Sequence, residues 1–103
     1  MIDTEWVVSS FDASHRGEFA ANFHGHTWWV RAHWPAEPTR DARLMLQRLN
    51  ACLSQWDHCA LDDKVTPTNH GVAKAIGQRV AHLVRVEVWR EGRVECGATW
   101  NKP

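Results

Sequence analysis

The chain has 103 residues, a formal net charge of zero and three cysteines, Cys52, Cys59 and Cys96. That size predicts one domain over residues 1–103, and the balanced charge excludes the electrostatic footprint of a nucleic-acid or anionic-membrane binder. No apolar run is long enough to span a bilayer, Met1–Glu5 is acidic where a secretory signal would be basic, and the odd cysteine count lacks framework spacing, so the expected setting is reducing and cytoplasmic.

Residues 4–11 are β-prone and lead into Asp12-Ala13-Ser14-His15. After a brief connection over 16–22, residues 23–34 read as a second strand, with Trp28, Val30 and Ala32 on one face and Trp29, Arg31 and His33 on the other. Asn22 leads into this strand, which opens with Phe23-His24-Gly25-His26. Side chains two apart in a strand share a face, so His24 and His26 can aim at one point. A hairpin of the two strands would bring His15 back towards them. Neutral imidazole is the commonest zinc ligand, and catalytic zinc usually takes three protein ligands and keeps a position open. A lone His-x-His can also simply decorate an exposed strand; the third histidine upstream argues for a site.

Pro35-Ala36-Glu37-Pro38-Thr39 interrupts the strand pattern, and Thr39 or Asp41 can cap the next helix. In residues 41–56, Met45, Leu49, Cys52, Leu53 and Trp56 recur at helical spacing, which makes Cys52 a core residue. Trp56-Asp57-His58-Cys59-Ala60-Leu61-Asp62-Asp63 and a loop to Asn69 lead to a second helix over 69–83, with Val72, Ile76, Val80 and Leu83 on its apolar stripe. Val84, Val86 and Val88 alternate with Arg85, Glu87 and Trp89 as a half-buried strand; Glu91-Gly92 turns, and residues 93–100 return as a fourth strand. The order ββααββ predicts an α+β fold, an antiparallel sheet with two helices on one face. Of seven tryptophans, six fall in predicted strands and Trp56 at a helix end, as core, sheet-face, ring-stacking or interface residues.

With these pieces in order, the chain resembles the 6-pyruvoyl-tetrahydropterin synthase / 6-carboxy-tetrahydropterin synthase family from about Trp6 to Trp100. Phe11-x-Ala13-x-His15 and His24-Gly25-His26-Thr27-Trp28 look like that family's two zinc-ligand motifs. Asp41 with Leu44 resembles the opening of its first helix, Trp56-Asp57-His58 followed by Leu61-x-Asp63 its Leu-Asp-His…Leu-Asn-Asp segment, and Pro67-Thr68 the start of its second helix. The resemblance implies the tunnelling fold (T-fold), in which subunits join their sheets into barrels and trimers stack into a homohexamer. It also implies Zn2+ on His15, His24 and His26, a pterin substrate such as dihydroneopterin triphosphate, and a lyase reaction; 6-carboxy members serve queuosine biosynthesis.

The chain departs from the family at two points. The family's usual base is a cysteine shortly before His-Gly-His; here the corresponding spacings fall on Ala20 and Glu18, of which only Glu18 can accept a proton, its alternative being a solvated loop residue. Asp57 and His58 match the family's second proton-handling pair, the aspartate orienting an imidazole that titrates near neutrality; Cys59 beside them reads as structural. The family's ring-anchoring glutamate is replaced by Val88 or Arg90, depending on register. A carboxylate accepts hydrogen bonds from a pterin's amino group and ring N–H, which neither Val nor Arg can do; Glu91, or Glu87, is the candidate substitute. Three readings stay open: a zinc-dependent pterin lyase with an atypical base, a zinc enzyme of this fold acting on another small heterocycle or carbonyl substrate, and a non-catalytic ligand-binding member.

Overall fold

The structure, a computed structural model, describes residues 2–16, 23–92 and 96–103. Four antiparallel strands form one sheet in the order β1-β2-β3-β4, with β1 at Thr4–Arg16, β2 at Phe23–Pro35, β3 at Arg85–Arg90 and β4 at Ala98–Asn101. Helices α1 (Ala42–Leu53) and α2 (Asn69–Arg79) lie between β2 and β3 in the chain, so the order is ββααββ. A single 3-10 turn, Leu61–Asp63, separates the helices.

Strand alternation builds the core. On β2, Trp28, Val30, Ala32 and Trp34 are fully buried, joined by Phe11 and Ala13 of β1 and Val86 and Val88 of β3. Met45, Leu49, Cys52 and Leu53 of α1 and Val72, Ala73 and Ile76 of α2 cover that face in the same cluster. Asp41 caps α1 by accepting from the Arg43 N–H, and Thr68 caps α2 by accepting from the Gly71 N–H at 3.0 Å. Gly77 lets α2 sit directly on the Trp100 ring: a Cβ there would lie 2.3 Å from it. Among the described residues the opposite sheet face carries no helix. There Arg31 lies between the rings of Trp6 and Trp89 at 4.6 and 5.6 Å, Trp29 stacks on Trp89, and His33 bonds both Thr4 and Glu87.

Element lengths differ from the periodicity at their ends. β1 runs to Arg16 instead of stopping at 11, because the Asp12–His15 segment pairs fully with β2. The second helix ends at Arg79; Val80 and Leu83 remain buried, but from its cap and the following turn, since an apolar stripe records burial and not helicity. α1 stops at Leu53, with Trp56 buried in the turn beyond it. β4 begins at Ala98. Among the described residues no helix is long and apolar enough to cross a membrane.

Candidate metal centre

The inward face of β2 changes character at its N-terminal end: Trp34, Ala32, Val30 and Trp28 give way to His26 and His24 on the same parity. Register supplies the third imidazole, since Ala13 faces His26 and His15 faces His24 across the β1–β2 ladder. The three ring centroids are 4.6, 4.8 and 5.0 Å apart, and one ring nitrogen from each lies within 4.8 Å of the others. Metal ligation at about 2.0–2.1 Å from each nitrogen requires such convergence, so these residues could hold a metal ion.

The outer nitrogens fix the orientation. His15 Nδ1 is 2.9 Å from the Pro67 carbonyl oxygen, to which it can only donate, leaving Nε2 as the lone-pair nitrogen. His26 Nδ1 lies 3.4 Å from a Glu91 carboxylate oxygen. Glu91 is itself tied to β2, accepting from the Thr27 N–H through its other oxygen and donating its own N–H to the Thr27 carbonyl. Among the described residues, Nε2 of His15 and Nε2 of His26 are buried side-chain nitrogens with no hydrogen-bond partner. Two buried polar atoms without partners are costly unless something binds them. Carbonyl and carboxylate partners on the remote ring nitrogen are the usual outer-shell arrangement of metal-binding histidines.

Both imidazoles are held below the ordinary histidine pKa. For His15 burial is the main cause, opposed by the Pro67 hydrogen bond and reinforced by Arg90 and His24. For His26 burial again leads, opposed by Glu91 and reinforced by His15 and Arg90. Neutral imidazoles are the form that ligates a metal.

Asp57 and His58 form a separate group with Asp12, exposed, at the outer edge of β1. Residues 57–62 run along this edge: Asp57 accepts from the Asp12 N–H, His58 donates its N–H to the Asp12 carbonyl, Ser14 donates to the Cys59 carbonyl and Asp62 accepts from the Arg16 N–H. His58 adopts a left-handed backbone, φ 60°, and its Nδ1 is 2.9 Å from an Asp57 carboxylate oxygen. The Asp12 N–H, followed by His58, holds the Asp57 carboxyl below the usual range. Within one chain the pair therefore does not join the three histidines. Glu18 and Ala20 lie outside the described residues. Cys52 is buried, its thiol pushed up by burial.

Two contributors escaped the sequence reading. Asp12 bonds the Thr27 hydroxyl at 2.6 Å and organises the Asp57–His58 backbone; the only signal was its place in Phe11-Asp12-Ala13. The Pro67 carbonyl that orients His15 has no side-chain signature at all.

No protein-family model matches the sequence, and no curated protein matches it significantly. Solved structures do match, among them "Structure of Caenorhabditis elegans 6-pyruvoyl tetrahydropterin synthase", 20% identical, covering 100% of this chain and 97% of that one with a TM-score of 0.78. At that identity the likeness carries the architecture: the chain has the ββααββ tunnelling fold seen in that synthase.

Proposed function

We propose that this protein is a zinc-dependent, tunnelling-fold enzyme of the carbon–oxygen lyase type, acting on a dihydropterin such as dihydroneopterin triphosphate or a related small heterocycle. The supporting observation is the pair of buried, unpartnered Nε2 atoms of His15 and His26 converging with His24. His15, His24 and His26 would hold Zn2+; when bound, it supplies a Lewis acid that acidifies substrate hydroxyls. Glu18 is the proposed base and His58, oriented by Asp57, the group that returns a proton. The proposal extends to a single domain over residues 1–103 and to a cytoplasmic protein, in keeping with three free cysteines.

The exposed position of Asp57 and His58 favours a site completed by a second copy. Among the described residues no strand pairs with the outer edge of the Thr4–Phe11 part of β1 or with the outer edge of β4, and Trp6, 53% exposed, lies on the sheet face opposite the helices; a homohexamer that joins such edges would manage them. Light scattering at micromolar concentration should give an oligomer, and a monomer would contradict the shared site.

Turnover of dihydroneopterin triphosphate tests the reading. Glu18→Gln and His58→Asn should each lower it by about two to four orders of magnitude with zinc content unchanged. Asparagine is the better replacement at 58 because it tolerates the left-handed backbone. No conversion by wild type but conversion by Ala20→Cys would mean that only the base is missing. No conversion by either favours the second reading, a zinc protein of this fold with another ligand, which the arginine at position 90 also favours.

Glu91 is proposed as an outer-shell support of His26. Glu91→Ala should weaken zinc binding about 10–100-fold, measured by competition with a chromophoric chelator. Unchanged affinity would return Glu91 to the role of ligand anchor.

A further inference from the structure

Thr27 stands opposite Asp12 in the β1–β2 ladder. Both alternate with the buried Phe11, Ala13 and Trp28, so both belong to the sheet face away from the helices. Every polar group of Thr27 is engaged. Its N–H donates to the Glu91 carboxylate and its carbonyl accepts from the Glu91 N–H, so its main chain serves the support of His26. Its hydroxyl donates to Asp12 Oδ1 at 2.6 Å. An ionised carboxylate only accepts, which fixes the direction of that bond.

Asp12 in turn meets the exposed pair with its main chain. Its N–H donates to Asp57 Oδ1 at 2.9 Å, and its carbonyl accepts from the His58 N–H at 2.6 Å. These bonds bring a second carboxylate close to the His58 ring. One ligating atom each of Asp12, Asp57 and His58 lies within 4.8 Å of the others. Among the described residues, however, the imidazole pairs with Asp57 alone, Nδ1 to Oδ2 at 2.9 Å. Asp12 and Asp57 are the same side chain, and both are exposed. A neutral imidazole has a single N–H, for which two such acceptors compete. What distinguishes the two aspartates is the Thr27 hydroxyl, which ties Asp12 to β2.

We propose that Thr27 is a positioning residue for the Asp57–His58 pair: its hydroxyl engages the Asp12 carboxylate and leaves Asp57 as the partner of His58, which fixes the ring proton on Nδ1 and leaves Nε2 to exchange one. The proposal rests on the reading of Asp57 and His58 as proton-handling residues, and it adds to them a residue that touches neither.

Histidine-selective 15N labelling tests it. Long-range 1H–15N spectra at about pH 9, above the ordinary histidine range, read the tautomer of each ring, and the His58 signals are those missing from His58→Asn. Wild-type His58 should be chiefly the Nδ1–H tautomer, the reverse of the preference of a free histidine side chain. Thr27→Val keeps the β-branched shape and the main-chain bonds to Glu91. It should lower the Nδ1–H to Nε2–H ratio of His58 about 2–10-fold, the range of one hydrogen bond. Thr27→Ser should keep the wild-type ratio. Asp12→Asn added to Thr27→Val should restore it, because the competing charge is then gone; a merely structural role would leave the double variant no better than Thr27→Val. A wild-type His58 in the Nε2–H form, an unchanged ratio in Thr27→Val, or a double variant that stays low each overturns the proposal. The readout needs neither zinc nor turnover. An inactive wild type with the expected tautomers would therefore overturn the lyase reading and keep the positioning role, and an active wild type without them would do the reverse.

Discussion

Alanine at His15, His24 or His26 is expected to abolish stoichiometric zinc binding. Wild-type protein should carry one zinc per chain, and each single variant should bind it at least about 100-fold more weakly, because even an outer-shell loss costs 10–100-fold. The three nitrogens lie within 4.8 Å of one another, and the other cluster of candidate ligands among the described residues, Asp12, Asp57 and His58, shares no residue with them. Metal analysis beside chelator competition checks this; wild-type zinc no higher than that of the triple variant would remove the metal centre from the account. Zinc-free protein should also show a distinct pH response. His15 and His26 are held below the ordinary value of 6.5. Below pH 6.5 the unfolded chain takes up protons that the folded imidazoles refuse, so stability is present above 6.5 and is lost as pH falls from there to the depressed folded values. Zinc should flatten that loss until protons displace it.

Trp28→Ala should be the most damaging core substitution near the site. The indole is fully buried, stacks on Phe11 at 6.2 Å and 10°, and donates its N–H to the Ala13 carbonyl at 3.1 Å. Truncation of a buried tryptophan costs about 3–5 kcal/mol, a large share of the 5–15 kcal/mol typical of a domain. It would also remove the floor beneath His15, His26 and Arg90. Trp28→Phe keeps most of the packing and loses chiefly the hydrogen bond, at about 1–2 kcal/mol. Urea unfolding at one fixed protein concentration separates the two, the fixed concentration being needed because assembly shifts apparent stability. A Trp28→Ala midpoint within about 1 kcal/mol of wild type would mean that the sheet floor is not what holds this end together.

Much of the architecture was legible locally. Period-two alternation in 23–34 and 84–89 and helical spacing in 41–56 are properties of short segments, and each appears in the fold with its apolar side on the core. The pairing of His24 with His26 belongs to the same class: two residues on one strand share a face whatever else the chain does. Helix ends were less legible. Val80 and Leu83 are buried as the spacing required, yet they lie beyond α2, because burial and helicity are separate demands on a residue.

Tertiary structure decided the rest of the site, and for one reason: its geometry depends on partners far apart in the chain. Strand register sets His15 opposite His24, and a slip of one residue would have turned it to the other face. The Pro67 carbonyl reaches His15 across 52 residues, and the Glu91 carboxylate meets Thr27 across 64. Asp57 and His58, adjacent in sequence to the end of α1, are carried to the outer edge of β1 because that edge had backbone donors and acceptors to satisfy. Arg90 could be read from sequence only as one of two registers; pairing with Trp28 turned it inward onto the histidine floor. Residue identity alone thus determined that three imidazoles were available on β-strands. Long-range pairing determined that they converge, which nitrogens His15 and His26 present, and that Arg90 stands beside them.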